Sequence, residues 1–288
     1  MTGRIPLVLC AFVFALATVA AAQDLRFPAR VEAGTAFSIP TTGSGEATLY
    51  VVGPGDAIAR KVHLGEEIEF EADDLHNAGH YLAILTGSSS VSTQFDVVPS
   101  RQPASLSFLA KPSRLAVNRP DGISGVTYIF DIFGNLLLKP EDVSFQLSDA
   151  TGGTQLRNAS SHEGVAWVQM NSAPKAGPAH FQATLSGVHA TRIVEEVPGD
   201  PCSIHMTARP ASSGRVLLQT DPVRDCNGNP VPDGTIVSFT ETHDGRVSTV
   251  DVPLKRSVAQ TELPAASGAT ISVAAGVVLG NEIRWGGR

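Results

Sequence analysis

The chain has 288 residues, of which 27 are glycine, 19 proline and only 17% charged, with a formal net charge of −7. Residues 23–98 carry 11 acids against 4 bases, residues 99–197 carry 8 of each, and residues 198–288 carry 9 against 8. Acidity is thus local to the first third, and no basic stripe exists for nucleic acid or anionic lipid.

The first 22 residues read as a secretory signal. Arg4 supplies the positive charge, residues 5–19 form the apolar run, and Ala20, Ala21 and Ala22 fit a cleavage site before Gln23. The run is short of the ~20 residues a membrane-spanning helix needs. Cys10 lies inside it, where a lipid-anchor cysteine would not. No later segment is long and apolar enough to span, so a mature chain of 266 residues (288 less 22) is expected outside the cytoplasm. Its many turn residues, short apolar alternations and lack of long amphipathic helical patterns predict an all-β protein of tandem immunoglobulin-like β-sandwich domains.

In chain order, the first domain is expected at 23–98, with strands at 46–52, 67–72, 79–85 and 93–98. Around 75–83 the spacing fits the tyrosine corner of immunoglobulin-like folds, in which the Tyr81 ring packs in the core and its hydroxyl bonds upstream backbone. Within 67–72, Glu67, Glu69 and Glu71 alternate with Ile68, Phe70 and Ala72, which places three carboxylates on one outer strand face. That face reads as a solvated edge that discourages further pairing, with a weak cation or basic-partner contact as the alternative.

The rest of the chain is an internal repeat. Residues 103–112 match 201–210 at an offset of 98. Asp131, Gly134 and Asn135 match Asp225, Gly228 and Asn229 at 94, and residues 180–187 match 270–277 at 90. Short deletions in two surface turns account for the falling offset. Proline-bounded joints at 98–103 and 197–201, extended and stiff by proline's fixed φ, separate domains at 103–197 and 201–288. Strands are expected at 104–110, 123–130, 142–147, 163–170 and 179–186. In the last domain they are expected at 202–208, 214–221, 235–240, 245–252, 256–260, 269–275 and 278–285. Trp167, in the fourth strand of the middle domain, is assigned to the core.

Cys202 and Cys226 are the two cysteines outside the signal. In an exported chain, and at the start and end of two strands that would form a hairpin, they predict a disulfide. The matching positions of the earlier repeat are Ala104 and Ile132, so the bridge is an addition to one domain. Asp225, Asn227 and Asn229 have calcium-loop spacing, but Pro230 stands where that loop needs Gly and Ile236 where it needs Glu. The segment reads instead as a turn held by Asx and Gly preferences. His76 and His80, beside Asp73 and Asp74, offer no third zinc ligand. No nucleophile elbow, P-loop, His-Glu-x-x-His or dinucleotide turn is present. No catalytic residue, metal site or cofactor is therefore assigned.

Residues 225–239, DCNGNPVPDGTIVSF, resemble the bacterial immunoglobulin-like domain of group 1, the repeat of intimins and invasins. The resemblance rests on Asp225, Gly228, Asn229, Pro230, Val231, Gly234, Val237 and Phe239. The middle domain keeps Asp131, Gly134, Asn135, Val143 and Phe145. What the resemblance implies is a non-enzymatic cell-envelope protein, an adhesin-like stalk or protein-interaction module whose partner is a protein or surface receptor. The alternatives are a carbohydrate-binding module, for which Trp285 is the candidate aromatic, and a periplasmic hydrolase.

Overall fold

A computed structural model describes residues 24–87 and 89–286. The expected signal at 1–22, with its expected cleavage after Ala22, lies outside the described residues. The chain forms two compact units, one reaching Arg101 and including Phe133–Asn135, the other formed by Gln102–Ile132 and the chain from Leu136 onward.

The first unit contains β1 (Arg30–Glu32), β2 (Phe37–Pro40), β3 (Glu46–Gly53), β4 (Asp56–His63), β5 (Glu67–Phe70), β6 (Gly79–Thr86) and β7 (Ser90–Val98). One sheet runs β1-β7-β6-β3-β4, and β2 pairs with β5 in a second. Alternating residues such as Leu49, Val51, Tyr81, Ala83 and Leu85 point into one core, where Phe27 stacks on Phe95 and Phe37 on Phe70. Tyr81 is buried, and its hydroxyl donates to the Asn77 carbonyl at 2.9 Å and to Asp56 Oδ2 at 3.1 Å. Burial first, and then Asp56, push this phenol well above its ordinary value. Gly53 makes room for the ring, since a Cβ there would fall 2.2 Å from Tyr81 Cε1.

The second unit holds two further hydrophobic cores. The first of its sandwiches comprises β8 (Ser105–Lys111), β9 (Arg114–Ala116), β10 (Ile123–Phe130), β11 (Asp142–Ser148), β12 (Thr154–Ser160), β13 (Val165–Met170), β14 (Gly177–Leu185) and β15 (Val188–Val197). Its sheets run β13-β10-β8 and β12-β11-β14-β15-β9. Phe108, Phe145 and Phe181 meet between them, with Phe108 edge-on to Phe181 at 5.1 Å.

The second sandwich of this unit comprises β16 (Pro201–Ser203), β17 (Met206–Pro210), β18 (Arg215–Thr220), β19 (Arg224–Asp225), β20 (Ile236–His243), β21 (Arg246–Pro253), β22 (Gln260–Pro264), β23 (Thr270–Ala275) and β24 (Val278–Arg284). Its sheets run β16-β19, β17-β18-β22 and β21-β20-β23-β24. Val237 and Phe239 are fully buried while Ile236 faces solvent, as a half-buried strand requires. These are tandem immunoglobulin-like β-sandwiches, and no helix among the described residues is long and apolar enough to cross a membrane.

Several strands differ from the sequence expectation. The strand at 202–208 is two strands, because the pairing ends at Ser203 and Ile204 turns into the core. The strand expected at 256–260 lies at β22. Arg256 and Ser257 adopt positive φ in a turn between Lys255 and Val258 instead. The alternation at 67–72 stops at Phe70, and Ala72 is exposed. The strands β1, β2, β4, β9, β12, β15 and β19 are not expected from the sequence, being short or without a simple apolar alternation.

Candidate functional site

The most constrained polar site of the second unit is the turn after β19. Gly228 takes the left-handed conformation (φ 77°), which lets the chain reverse and return Asn229 O to Asp225 N at 2.9 Å. The Asp225 side chain is buried and accepts from four donors. Its Oδ1 receives the Asn227 and Asn229 backbone N–H groups at 2.9 and 2.8 Å. Its Oδ2 receives the Gly199 N–H at 3.0 Å and the Asn229 Nδ2 at 2.9 Å. Burial pushes this carboxyl up. The Asn229 side chain and the three backbone donors more than offset it, leaving Asp225 below the usual carboxylate range. Gly199 lies in the 197–201 segment that joins the two sandwiches of this unit, so one carboxylate ties the turn to the linker.

Asn229 completes the joint. Its side-chain Nδ2 donates to the Pro174 carbonyl at 2.9 Å, and its Oδ1 accepts the Ala176 N–H at 3.2 Å. Lys175 Nζ donates to the Asn227 carbonyl at 2.7 Å. The 171–176 loop thus belongs to one sandwich and is read by a side chain of the next. On its other side, buried Glu196 accepts the Ala173 N–H at 2.7 Å. Burial raises the Glu196 carboxyl, the Ala173 bond opposes the rise and nearby Asp149 adds to it. The loop is therefore held from both sides by buried polar groups.

The first unit carries the same arrangement among its own residues. Asn135 Nδ2 donates to the His76 carbonyl at 2.7 Å, its Oδ1 accepts the Ala78 N–H at 2.8 Å, and the Phe133 ring stacks on His76 at 4.8 Å. An Asp alone would complete an Asx turn. The Asn that recurs at both 135 and 229 is the sequence signal for this second task.

The disulfide joins Cys202 of β16 to Cys226, the residue after Asp225. Pro230 is exposed, whereas Val231 is buried and donates its N–H to Val223 O. Glu67, Glu69 and Glu71 all face solvent, and Glu67 accepts from Ser38 Oγ at 2.9 Å. His76 lies nearest Asp73, whereas His80 meets Asp96. Among the described residues, no group of three His, Cys, Asp or Glu is placed to hold a metal ion.

Trp167 does not take the core position expected of it. Trp285 is half-buried and packs against the core of the last sandwich. Trp167 is 63% exposed, because β13 turns Ala166, Val168 and Met170 inward instead. Gln169, two residues from Trp167 and on the same face, was the polar hint to the correct phase.

No protein-family model matches the chain, and no curated protein matches it. Solved structures do. The FdeC adhesin of Escherichia coli superposes with a TM-score of 0.57 at 15% identity, over 93% of this chain and 100% of that one. Invasin, a bacterial integrin-binding protein, gives 0.48 at 14% identity, covering 90% of this chain and 58% of that one. InvD of Yersinia pseudotuberculosis gives 0.48 at 14%, over 89% and 94%. At this identity the FdeC likeness is one of fold, and the two scores below 0.5 add nothing to the argument.

Proposed function

We propose that the protein is an exported, non-enzymatic cell-envelope protein, an adhesin-like stalk or protein-interaction module. Its domains in this reading are 23–98, 103–197 and 201–288, the last two of the group 1 bacterial immunoglobulin-like type, reached by cleavage of the signal after Ala22. The observation that carries the reading is the use of buried polar groups. Asp225 and Asn229 bond the linker and the neighbouring sandwich, and Glu196 bonds the loop that Asn229 reads. An enzyme would aim such groups at a substrate, whereas here Asp225 and Asn229 fix one sandwich against the next and Glu196 holds the loop they meet. FdeC, whose fold this chain shares, is an adhesin.

Cells producing the full chain should place it in the envelope or medium with a mature N-terminus at Gln23, as read by N-terminal sequencing. Mild crosslinking there should join it to a discrete protein partner. Recovery of uncleaved protein in the cytoplasm, or of monomer alone under every crosslinking condition, would contradict the proposal.

A further inference from the structure

The sheet β13-β10-β8 has one face in the core and the other open. Register places Trp167, Val126 and Leu109 in one row across that outer face. Trp167 is 63% exposed and Leu109 46%. The next row is Gln169, Ser124 and Lys111, and the row on the other side is Val165, Tyr128 and Ser107. In these three rows only Lys111 is charged. The rim presents hydroxyls and an amide around an apolar centre with an indole at its edge.

We propose that this face binds an oligosaccharide, with the Trp167 indole as the platform for one sugar ring. Two observations select that occupant. Three strands about 4.8 Å apart, over about five residues at roughly 3.3 Å each, offer on the order of 200 Å² of face. A stable protein interface or a second copy of this chain needs about 800 Å² per partner, so the face suits one extended ligand. The rim then suits a hydroxyl-rich ligand: Gln169, Ser124 and Ser107 can donate and accept, Lys111 donates, and no carboxylate stands among them. An apolar centre with a few orienting polar groups is the usual make-up of a small-ligand site. An aromatic face also covers the apolar C–H face of a pyranose.

This inference rests on the reading of the protein as a non-catalytic interaction module and names the ligand class of one surface. Its test is a printed array of neutral and sialylated oligosaccharides probed with the purified full chain and with Trp167→Ala and Trp167→Phe. Soluble hits are titrated against a Trp285→Phe variant, whose remaining tryptophan in the described residues is Trp167. The wild type should bind a defined set of glycans. Trp167→Ala should weaken binding at least tenfold, Trp167→Phe should retain most of it, and the sugar should shift Trp167 fluorescence. Thermal melting of Trp167→Ala should match the wild type, because the side chain is exposed. No glycan binding by the wild type, or equal binding by Trp167→Ala, overturns the inference and leaves the module reading standing. A change of oligomeric state in Trp167→Ala without a glycan effect assigns the face to a second copy and also overturns it. Hydrolysis of the arrayed glycans would instead overturn the non-enzymatic reading.

Discussion

Asp225→Ala lowers the stability of the last sandwich by about 3 kcal/mol or more and frees the linker from it. The substitution leaves the Gly199, Asn227 and Asn229 backbone N–H groups and the Asn229 Nδ2 without their acceptor. A buried donor left unsatisfied costs about 1–3 kcal/mol, and water reaching the rim of the turn recovers part of the sum. Asp225→Asn keeps one acceptor oxygen and costs about half as much. In a Trp167→Phe background, denaturant unfolding followed by Trp285 fluorescence reads this core directly, since Trp285 packs against it. The pH dependence has a defined sign. The folded carboxyl lies below its ordinary value of 3.8. Its contribution is therefore complete above about pH 4 and is lost as pH falls through the lower folded value. Asp225→Asn should lose less stability than the wild type over that acid window.

Loss of the disulfide is the second large effect. Cys202 and Cys226 are 24 residues apart, and closing a loop of that size stabilises a fold by roughly 3 kcal/mol in the chain-entropy model. Cys202→Ala with Cys226→Ala should lower the unfolding midpoint reported by Trp285. The unfolding of the neighbouring sandwich should be left unchanged, because its core contains neither residue. The double variant still folds, since Pro201 and Ser203 remain paired with Asp225 and Arg224. Both cysteines are exposed, so a reductant should reproduce the shift in the wild type. An equal shift in both sandwiches would show that the bridge is not local.

Much of this fold was legible in the sequence, and the exceptions have physical causes. At Ile123–Phe130 buried and half-buried residues alternate without a break, so the strand could be read at its true ends. At Thr154–Ser160 most side chains are exposed. An edge strand of that kind is specified by backbone pairing to Asp142–Ser148, and local sequence does not show it. Trp167 was misplaced because both faces of β13 carry apolar residues, which leaves the phase of a period-2 pattern ambiguous. The Asp-Gly-Asn turn was legible as a turn, since Asx and Gly chemistry is local. Its hold on another sandwich was not, because Pro174 and Ala176 lie 55 and 53 residues away from Asn229, and no local rule links them.

Whether Asn229 locks the two sandwiches of the second unit together can be measured directly. Spin labels at Arg192→Cys and Arg246→Cys, one on each sandwich and both exposed, report their separation by pulsed electron paramagnetic resonance. A locked joint predicts one narrow distance distribution in the wild type and at least a doubling of its width in Asn229→Ala, with both cores still folded. A wild-type distribution as broad as that of Asn229→Ala would contradict it.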